Sequence, residues 1–559
     1  MKNWRVNAIF CFIVLFGAAI ISRLLYLQVI KNDYYKAMAQ GQQKEFRILK
    51  GDRGRIFLRG GEILATNIKE KCVFVLPQKI ENKEETAKTI SAALNLDEKE
   101  VLEKIESDNL LELLKTDITE EEEKSVGKIK LAGVSVEEMV FRRYPQASMA
   151  SQVVGFLGGE GTGQYGIEGY YDDILQGNER YENVEKSSFK YFFGSIDEMS
   201  NKGSDIFLTI DYNIQFQAER LLEKAKEDLD IEGGLITVIE PSSGKIFALA
   251  NFPNFDPNDY SKADDFQIFQ NSAIQRFYEP GSVFKPITMA SALNEGKITP
   301  QTTYIDKGVL SIGGYNIYNF AKRTYGEKTM TEVLENSINT GAVFAERQLG
   351  NELFLDYLTK FGFFDPTGID LQGEVSSENR EFKKGYEVNF ATASYGQGIQ
   401  ITPIQLVRAF CAIANGGKLV RPYIVEKVSK EGKVIETKPE LSEHSVISSK
   451  TVSQLTAMMV SVIEKGFSQK AKIPHYYIAG KTGTSQVSFS SLDIDKKGYS
   501  DKTWQSFIGF APAFDARFLI LIKLDNPKAS TAEYSAVPIF HELARYIINY
   551  LEIPPDYGD

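Results

Sequence analysis

The sequence predicts a mixed α/β fold of the α+β kind, a mainly antiparallel sheet interrupted by a helical insertion. Three observations carry this. Strand-like runs fall at both ends of residues 204–559: SDIFLTI, GLITVIE and KIFALANF early, YYIAGKTGTSQV, WQSFIGFAPA and FLILIKLD late. Between about 270 and 470, helical spacing and loop signals dominate. A sheet built from both ends, with the helices inserted, is the economical arrangement, and the active cleft is expected where insertion meets sheet.

At 559 residues the chain is long enough for two globular parts. Its 43% hydrophobic and 25% charged content describes an ordinary folded protein. The formal charge of −11 gives no basic footprint, which argues against nucleic acid as a partner. Three cysteines, Cys11, Cys72 and Cys411, are too few and too scattered for a disulfide framework, although one incidental bridge stays open.

The elements follow in order. Lys2 and Arg5 precede an uncharged run from Val6 to Ser22, and apolar character resumes after Arg23 to Ile30. This is expected to be one membrane helix with its N-terminus inside, so that the rest of the chain lies on the outer side. A cleaved signal peptide is the rival, with small residues at Gly17-Ala18-Ala19, but the apolar run continues past them. Residues 31–203 form a first part, in which ENKEETAKTISAALNL and DEKEVLEKIESDNLLELL read as solvated surface helices. The Gly-rich patch from Gly155 to Gly169 lacks the context of a phosphate-binding loop. In the second part, 204–559, a helix is expected over Tyr212 to Leu229, a hairpin turn at Pro241-Ser242-Ser243-Gly244, and a closing helix IFHELARYIINYLEI.

The pair S-x-x-K occurs four times, at Ser125/Lys128, Ser187/Lys190, Ser242/Lys245 and Ser282/Lys285, so context must choose. Ser282 follows the breaker pair Pro280-Gly281 and precedes a stretch with helical spacing. Pro286 lacks an N–H and is tolerated only in a first helical turn, so Ser282 is expected to open a helix. There its own N–H is free for a bound carbonyl oxygen, and Lys285 returns to the same face. The three histidines, His444, His475 and His541, are all C-terminal and far from Ser282 in sequence. A lysine can serve as base instead if burial and a second cation lower its pKa. Lys481, in the chain's only K-T-G, offers that cation. Strand alternation puts Lys481 and Gly483 on one face, and the glycine would let a substrate lie close against the strand. The hydroxyls of Thr482 and Thr484 can bind a carboxylate, and the Thr484 N–H can be a second oxyanion donor.

The order Ser282-x-x-Lys285, Ser337-Ile338-Asn339, Lys481-Thr482-Gly483 resembles the triple signature of penicillin-recognising serine enzymes. A literal Ser107-Asp108-Asn109 lies upstream of the serine and is read as a decoy. NSAIQRFYEPGSVFKP, ENSINTGAV, ASYGQGIQITPIQL and AGKTGTSQV narrow the resemblance to class B penicillin-binding proteins of the division type. GDRGRIFLRGGEILATN, GVSVEEMVFRRYP and GIEGYYDDILQG are similar to that family's N-terminal module, with Leu58-Arg59-Gly60-Gly61 departing from its usual Asp-Arg before the turn.

The resemblance implies a transmembrane anchor over 1–30, an elongated pedestal over 31–203 and a serine β-lactamase-like transpeptidase domain over 204–559. It implies a serine-type D-Ala-D-Ala transpeptidase without cofactor or metal, acting outside the bacterial cytoplasmic membrane. The implied nucleophile is Ser282 and the base Lys285. Ser337 would relay the proton to the leaving amine, Asn339 would hold the donor peptide, and Lys481 would help set the proton network. Thr482 and Thr484 would bind the terminal carboxylate. The implied partners are a stem pentapeptide ending in D-Ala-D-Ala, β-lactam antibiotics, the membrane, a polymerase of the lipid-linked disaccharide and other division proteins. A β-lactamase or D,D-carboxypeptidase shares the chemistry but would not need so large a pedestal and an anchor. A non-catalytic scaffold of wall synthesis predicts erosion of the signature, and all three motifs are intact. A bifunctional glycosyltransferase would need a histidine in the N-terminal half, where there is none.

Overall fold

Strand pairing and packing divide the chain of this computed structural model into two units. Residues 12–18, 20–22, 45–49, 52–129, 131–159, 161–177, 180–184, 202–492 and 494–558 are described. Most of the predicted membrane segment, and Ser187, lie outside them. The described pieces 12–18 and 20–22 are helical, and among the described residues no helix is long and apolar enough to cross a membrane.

One unit gathers Met1–Gly54, Thr66–Arg143 and Ile174–Ser204. Its core forms where helices Lys83–Leu94, Glu98–Glu106 and Glu120–Ile129 turn Ala87, Ile90, Leu94, Val101, Ile105 and Val126 onto Val73 and Val75. Residues 66–75 pair antiparallel with Val134–Arg143. The helices predicted as solvated faces are thus amphipathic, each burying one stripe. Asn82 and Asp97 cap the first two by accepting backbone N–H groups. The predicted helix through DEKEVLEKIESDNLLELL stops at Glu106, and Glu112–Lys115 is a strand. The decoy causes the break, since the Ser107 hydroxyl accepts the Asn109 N–H at 3.1 Å and competes with the helix for it. Ser125 sits inside the third helix and donates its hydroxyl to the Glu121 carbonyl. Cys72, in this unit, and Cys411, in the other, are buried free thiols.

The second unit comprises Arg55–Ala65, Tyr144–Asp173 and Asp205–Asp559. Its elements are α1 (Tyr212–Leu229), β1 (Gly233–Ile239), β2 (Ile246–Phe252), α2 (Lys285–Asn294), α3 (Asn339–Leu349), α4 (Pro403–Ala414), α5 (Ser449–Lys465), β3 (Ala479–Ser488), β4 (Tyr499–Ala511), β5 (Phe518–Asp525) and α6 (Ala536–Tyr550). The five strands make one antiparallel sheet in the order β2-β1-β5-β4-β3, with β3 at its edge. This is the sheet expected from both ends of the domain. SDIFLTI does not join it: Asp205–Leu208 pairs antiparallel with Val425–Lys430 and parallel with Ile56–Phe57.

Every residue of β1 is buried, and helices cover both sheet faces. Ile214, Leu221 and Leu222 of α1 and Phe540, Leu543 and Ile547 of α6 meet Ile236, Val238, Phe507, Ile520 and Ile522 on one face. The opposite face carries α4 on β5 and α5 on β3. Each fully buried side chain of this size stabilises by about 1.5–3 kcal/mol. Asp211 caps α1 by accepting from Asn213 and Ile214, and Asp230, in the left-handed region, ends it. The predicted turn at 241–244 joins β1 and β2 and holds Ser242. The insertion holds more strand than its sequence suggests. Thr303–Asp306 pairs with Gly326–Thr329, and Val309–Ile312 pairs with Tyr315–Tyr318 around Gly313 and Gly314. The departure at Leu58-Arg59-Gly60-Gly61 forms a tight turn, and the Arg59 guanidinium lies 4.9 Å from the Phe247 ring centre.

Candidate active site

Gly281–Phe284 forms a 3₁₀ turn and α2 begins at Lys285, with Pro286 in its first turn. Ser282 therefore stands in the turn that leads into the helix, one step before the position expected, and its carbonyl accepts the Lys285 N–H. Pressing this turn against β3 needs two glycines. At Gly281, φ is +61°, and a Cβ would lie 2.9 Å from that of Ser485. At Gly483 a Cβ would meet the Ser506 hydroxyl at 2.7 Å and the Pro280 carbonyl and Val283 Cγ1 at 3.0 Å. The glycine of K-T-G thus makes room for the serine-bearing turn, a reason different from the expected close approach of substrate.

Lys285 is fully buried, and its Nζ donates to Ser282 Oγ at 3.0 Å, the Ser337 carbonyl at 2.6 Å and Ser337 Oγ at 3.2 Å. All three acceptors are neutral. Burial first, and the neighbouring Lys481 charge second, hold its pKa well below the usual 10.5. Lys481 is also buried, on the inward face of β3, and burial lowers its pKa to about 7. Its Nζ reaches Ser337 Oγ at 3.0 Å, the Thr482 carbonyl at 3.1 Å and Thr482 Oγ1 at 3.4 Å. Two like charges this close titrate as a pair, and each disfavours the ammonium form of the other.

Ser337 follows a short helix, Met330–Glu335, and takes φ +53°, a left-handed conformation uncommon for a residue with a Cβ. That backbone brings both its carbonyl and its hydroxyl to Lys285. Asn339 begins α3 and donates Nδ2 to the Tyr318 carbonyl at 2.9 Å. A carbonyl only accepts, so the amide has one orientation and its Oδ1 is directed elsewhere. Thr482 and Thr484 are half-buried on the face of β3 opposite Lys481 and Gly483. Thr484 Oγ1 accepts the Ala532 N–H at 3.1 Å and keeps its proton for donation.

A continuous path thus runs Ser282 Oγ, Lys285 Nζ, Ser337 Oγ, Lys481 Nζ. It can take a proton from one hydroxyl and deliver it at another. Sequence reasoning named every member but missed the surroundings. Glu279 is buried, with its carboxylate accepting from the Gly398 N–H at 3.2 Å and the Tyr499 hydroxyl at 2.9 Å and its carbonyl from Ser485 at 2.9 Å. These bonds fix the approach to the serine turn, and no local pattern announces them. Among the described residues no cluster of side chains suits a metal.

A serine with a buried lysine one turn on, set against an edge strand bearing K-T-G, is an arrangement suited to acyl transfer through a serine ester. Residues 234–545 match the family of the penicillin-binding protein transpeptidase domain, and residues 48–208 that of the penicillin-binding protein dimerisation domain. Stage V sporulation protein D of Bacillus subtilis is 33% identical over 580 residues, covering 99% of this chain and 88% of that protein. A probable peptidoglycan D,D-transpeptidase, PbpC of Pseudomonas aeruginosa, is 28% identical over 568 residues, covering 99% and 96%. The crystal structure of penicillin-binding protein 3 from Mycobacterium tuberculosis complexed with aztreonam superposes with a TM-score of 0.70 at 25% identity, covering 92% and 98%. The chain belongs to the penicillin-binding protein transpeptidases, as a class B peptidoglycan D,D-transpeptidase of the serine type.

Proposed function

We propose that Ser282 is the nucleophile of this transpeptidase and Lys285 its base, and that the enzyme cross-links stem peptides during septal wall synthesis. The observation that carries the reading is the 3.0 Å bond between a buried lysine and the Ser282 hydroxyl. Ser282 Oγ attacks the penultimate D-Ala carbonyl while Lys285 takes its proton. The oxyanion is met by the N–H groups of Ser282 and Thr484. Ser337 passes the proton to the departing D-Ala amine, leaving an ester on Ser282. An acceptor amine then attacks the ester, gives up a proton along the same path and frees the serine. Asn339 holds the donor peptide, and Thr482 and Thr484 bind its terminal carboxylate. A β-lactam enters the first step alone, its ring amide opening without a departing group.

The septal role is supported by the relative named peptidoglycan D,D-transpeptidase FtsI homolog of Mesostigma viride, 28% identical over 573 residues. The reading includes a single membrane anchor over 1–30 with the catalytic part outside, and partners in a lipid-linked disaccharide polymerase and division proteins. Exposed Phe12, Ile13, Leu15 and Phe16 on the described helical piece support the anchor.

Fluorescent penicillin labelling followed by peptide mapping tests the site. The adduct is expected on Ser282, and Ser282→Ala is expected to abolish labelling with folding intact. An adduct on Ser125, Ser187 or Ser242 overturns the assignment. Protease added outside spheroplasts is expected to reach residues beyond about 35, whereas a mature N-terminus near Ala19 would mean a cleaved signal peptide instead.

A further inference from the structure

Asp306 ends the strand Thr303–Asp306 and is 2% exposed, far in sequence from each signature motif. Its carboxylate is saturated with donors. Oδ1 accepts from the Gly308 N–H at 3.0 Å, Asn319 Nδ2 at 3.0 Å and Thr340 Oγ1 at 2.6 Å; Oδ2 accepts from Asn319 Nδ2 at 2.9 Å and the Tyr325 N–H at 2.7 Å. These bonds outweigh the burial and hold the carboxyl below its usual pKa, so it is charged.

The consequence passes through Asn319. Because both carboxylate oxygens accept from Nδ2, the amide cannot flip, and Asn319 Oδ1 must face the other way. There it accepts the Thr340 N–H at 3.2 Å and the Thr340 hydroxyl lies at 3.2 Å. Thr340 is the second residue of α3, where the first N–H groups have no partner within the helix, and Ile338 before it offers no side-chain cap. Asn319 therefore caps α3 from another part of the chain, with a negative charge just behind it that suits the helix dipole. Tyr318, the residue before Asn319, supplies the carbonyl that orients Asn339, the residue before Thr340. Two adjacent residues on one segment thus clamp two adjacent residues on the other, and Asp306 holds both segments.

We propose that Asp306 is a positioning residue of the transpeptidase site: through Asn319 and Thr340 it fixes the start of α3, and so the orientation in which Asn339 meets the donor peptide. This rests on Asn339 being the donor-binding amide, and the test separates the two claims. The full chain in detergent is acylated with a fluorescent penicillin, and the dissociation constant of the complex before acylation is resolved from the acylation rate constant. Covalent label at saturation counts the competent sites.

Asp306→Asn presents an NH₂ group where several donors converge. It is expected to weaken the first complex about 10-fold while the acylation rate constant of competent molecules changes less than 3-fold. Asn339→Ala is expected to weaken the same complex, and Asp306→Asn to add nothing in that background. Thr340→Val removes one bond to Asp306 and is expected to act in the same direction, with Thr340→Ser restoring the affinity. That pair keeps the test decisive where Asp306→Asn fails to fold. If Asn339→Ala weakens the complex but Asp306→Asn and Thr340→Val only lower the number of competent sites, Asp306 is merely structural and the proposal falls alone. Additive effects of Asp306→Asn and Asn339→Ala also overturn it, and an unchanged complex in Asn339→Ala removes the donor-binding reading beneath it.

Discussion

Lys285 and Lys481 meet on one oxygen: both lysine Nζ atoms reach Ser337 Oγ, at 3.2 and 3.0 Å, and both side chains are buried. A hydroxyl has one proton to give and two lone pairs to accept with, so it suits one neutral and one charged lysine better than two cations. That asymmetry separates their roles.

Lys285→Arg is expected to be as damaging to acylation as Lys285→Ala, a loss of at least about 100-fold, the scale of a lost general base. A guanidinium stays protonated and cannot accept the serine proton. Lys481→Arg is expected to keep part of the activity, since charge rather than basicity is asked of it. Acylation by a chromogenic β-lactam, after circular dichroism of each variant, measures both.

The same pair predicts a shift in pH profile. As the proposed base, Lys285 would work only when neutral, so acylation is expected to fall as pH drops through its lowered pKa. Lys481→Met removes the neighbouring charge that helps to depress that pKa, which therefore rises. The acid limb of the acylation profile is expected to move to higher pH in Lys481→Met and not in Lys481→Arg. A limb that stays in place means that burial alone sets the base.

Gly483→Ala is expected to cost more than 10-fold in acylation, and on the order of 1–3 kcal/mol in stability, the usual range for overpacking. The new methyl meets Pro280 and Val283, which carry the serine turn, so the damage falls on Ser282 rather than on carboxylate binding. A normal acylation rate constant with weakened substrate affinity would contradict this.

Glu346 on α3 is 1% exposed, and its Oε1 has no hydrogen-bond partner among the described residues. Burial raises its pKa from 4.5 to about 7, with Arg347 opposing and Glu387 adding to the shift. The folded state thus holds a proton that the unfolded state releases, so this group's contribution to stability is fully present below about pH 4.5 and is lost as pH rises through 7. Glu219, also raised to about 7 by burial, tilts stability the same way. Glu346→Gln is expected to flatten part of this decline and to gain on the order of 2 kcal/mol at pH 8. Chemical denaturation at pH 5 and pH 8 checks it.

What the sequence discloses follows the range of the interactions. The geometry of Ser282 and Lys285 is local, three residues and a proline, and its reading misses the helix start by a single 3₁₀ turn. The alternation of Lys481, Thr482 and Gly483 is likewise local to one strand. The long apolar strands β1 and β5 are legible because burial on both faces leaves little else for them to be. The four-residue strands of the insertion are too short for a period to emerge, and so Asp306 goes unseen. Its partners Asn319 and Thr340 stand 13 and 34 residues away, each an ordinary polar residue by itself. The reason for Gly483 is hidden the same way, since two of the atoms it must avoid, on Pro280 and Val283, belong to a turn some 200 residues earlier.

The placement of β3 at the sheet's edge has a bearing on how this enzyme can change. Among the described residues its one strand partner is β4, so alternate amide and carbonyl groups between Gly480 and Gln486 face outward. A ligand held there by main-chain hydrogen bonds is gripped by groups that every residue possesses. Substitution along β3 can reshape the neighbouring side chains but cannot delete that grip, short of introducing proline. Variants that escape an inhibitor bound in this way while still turning over peptide must therefore arise mainly off the strand, among residues that set the serine turn, the start of α3 and the closeness of their packing.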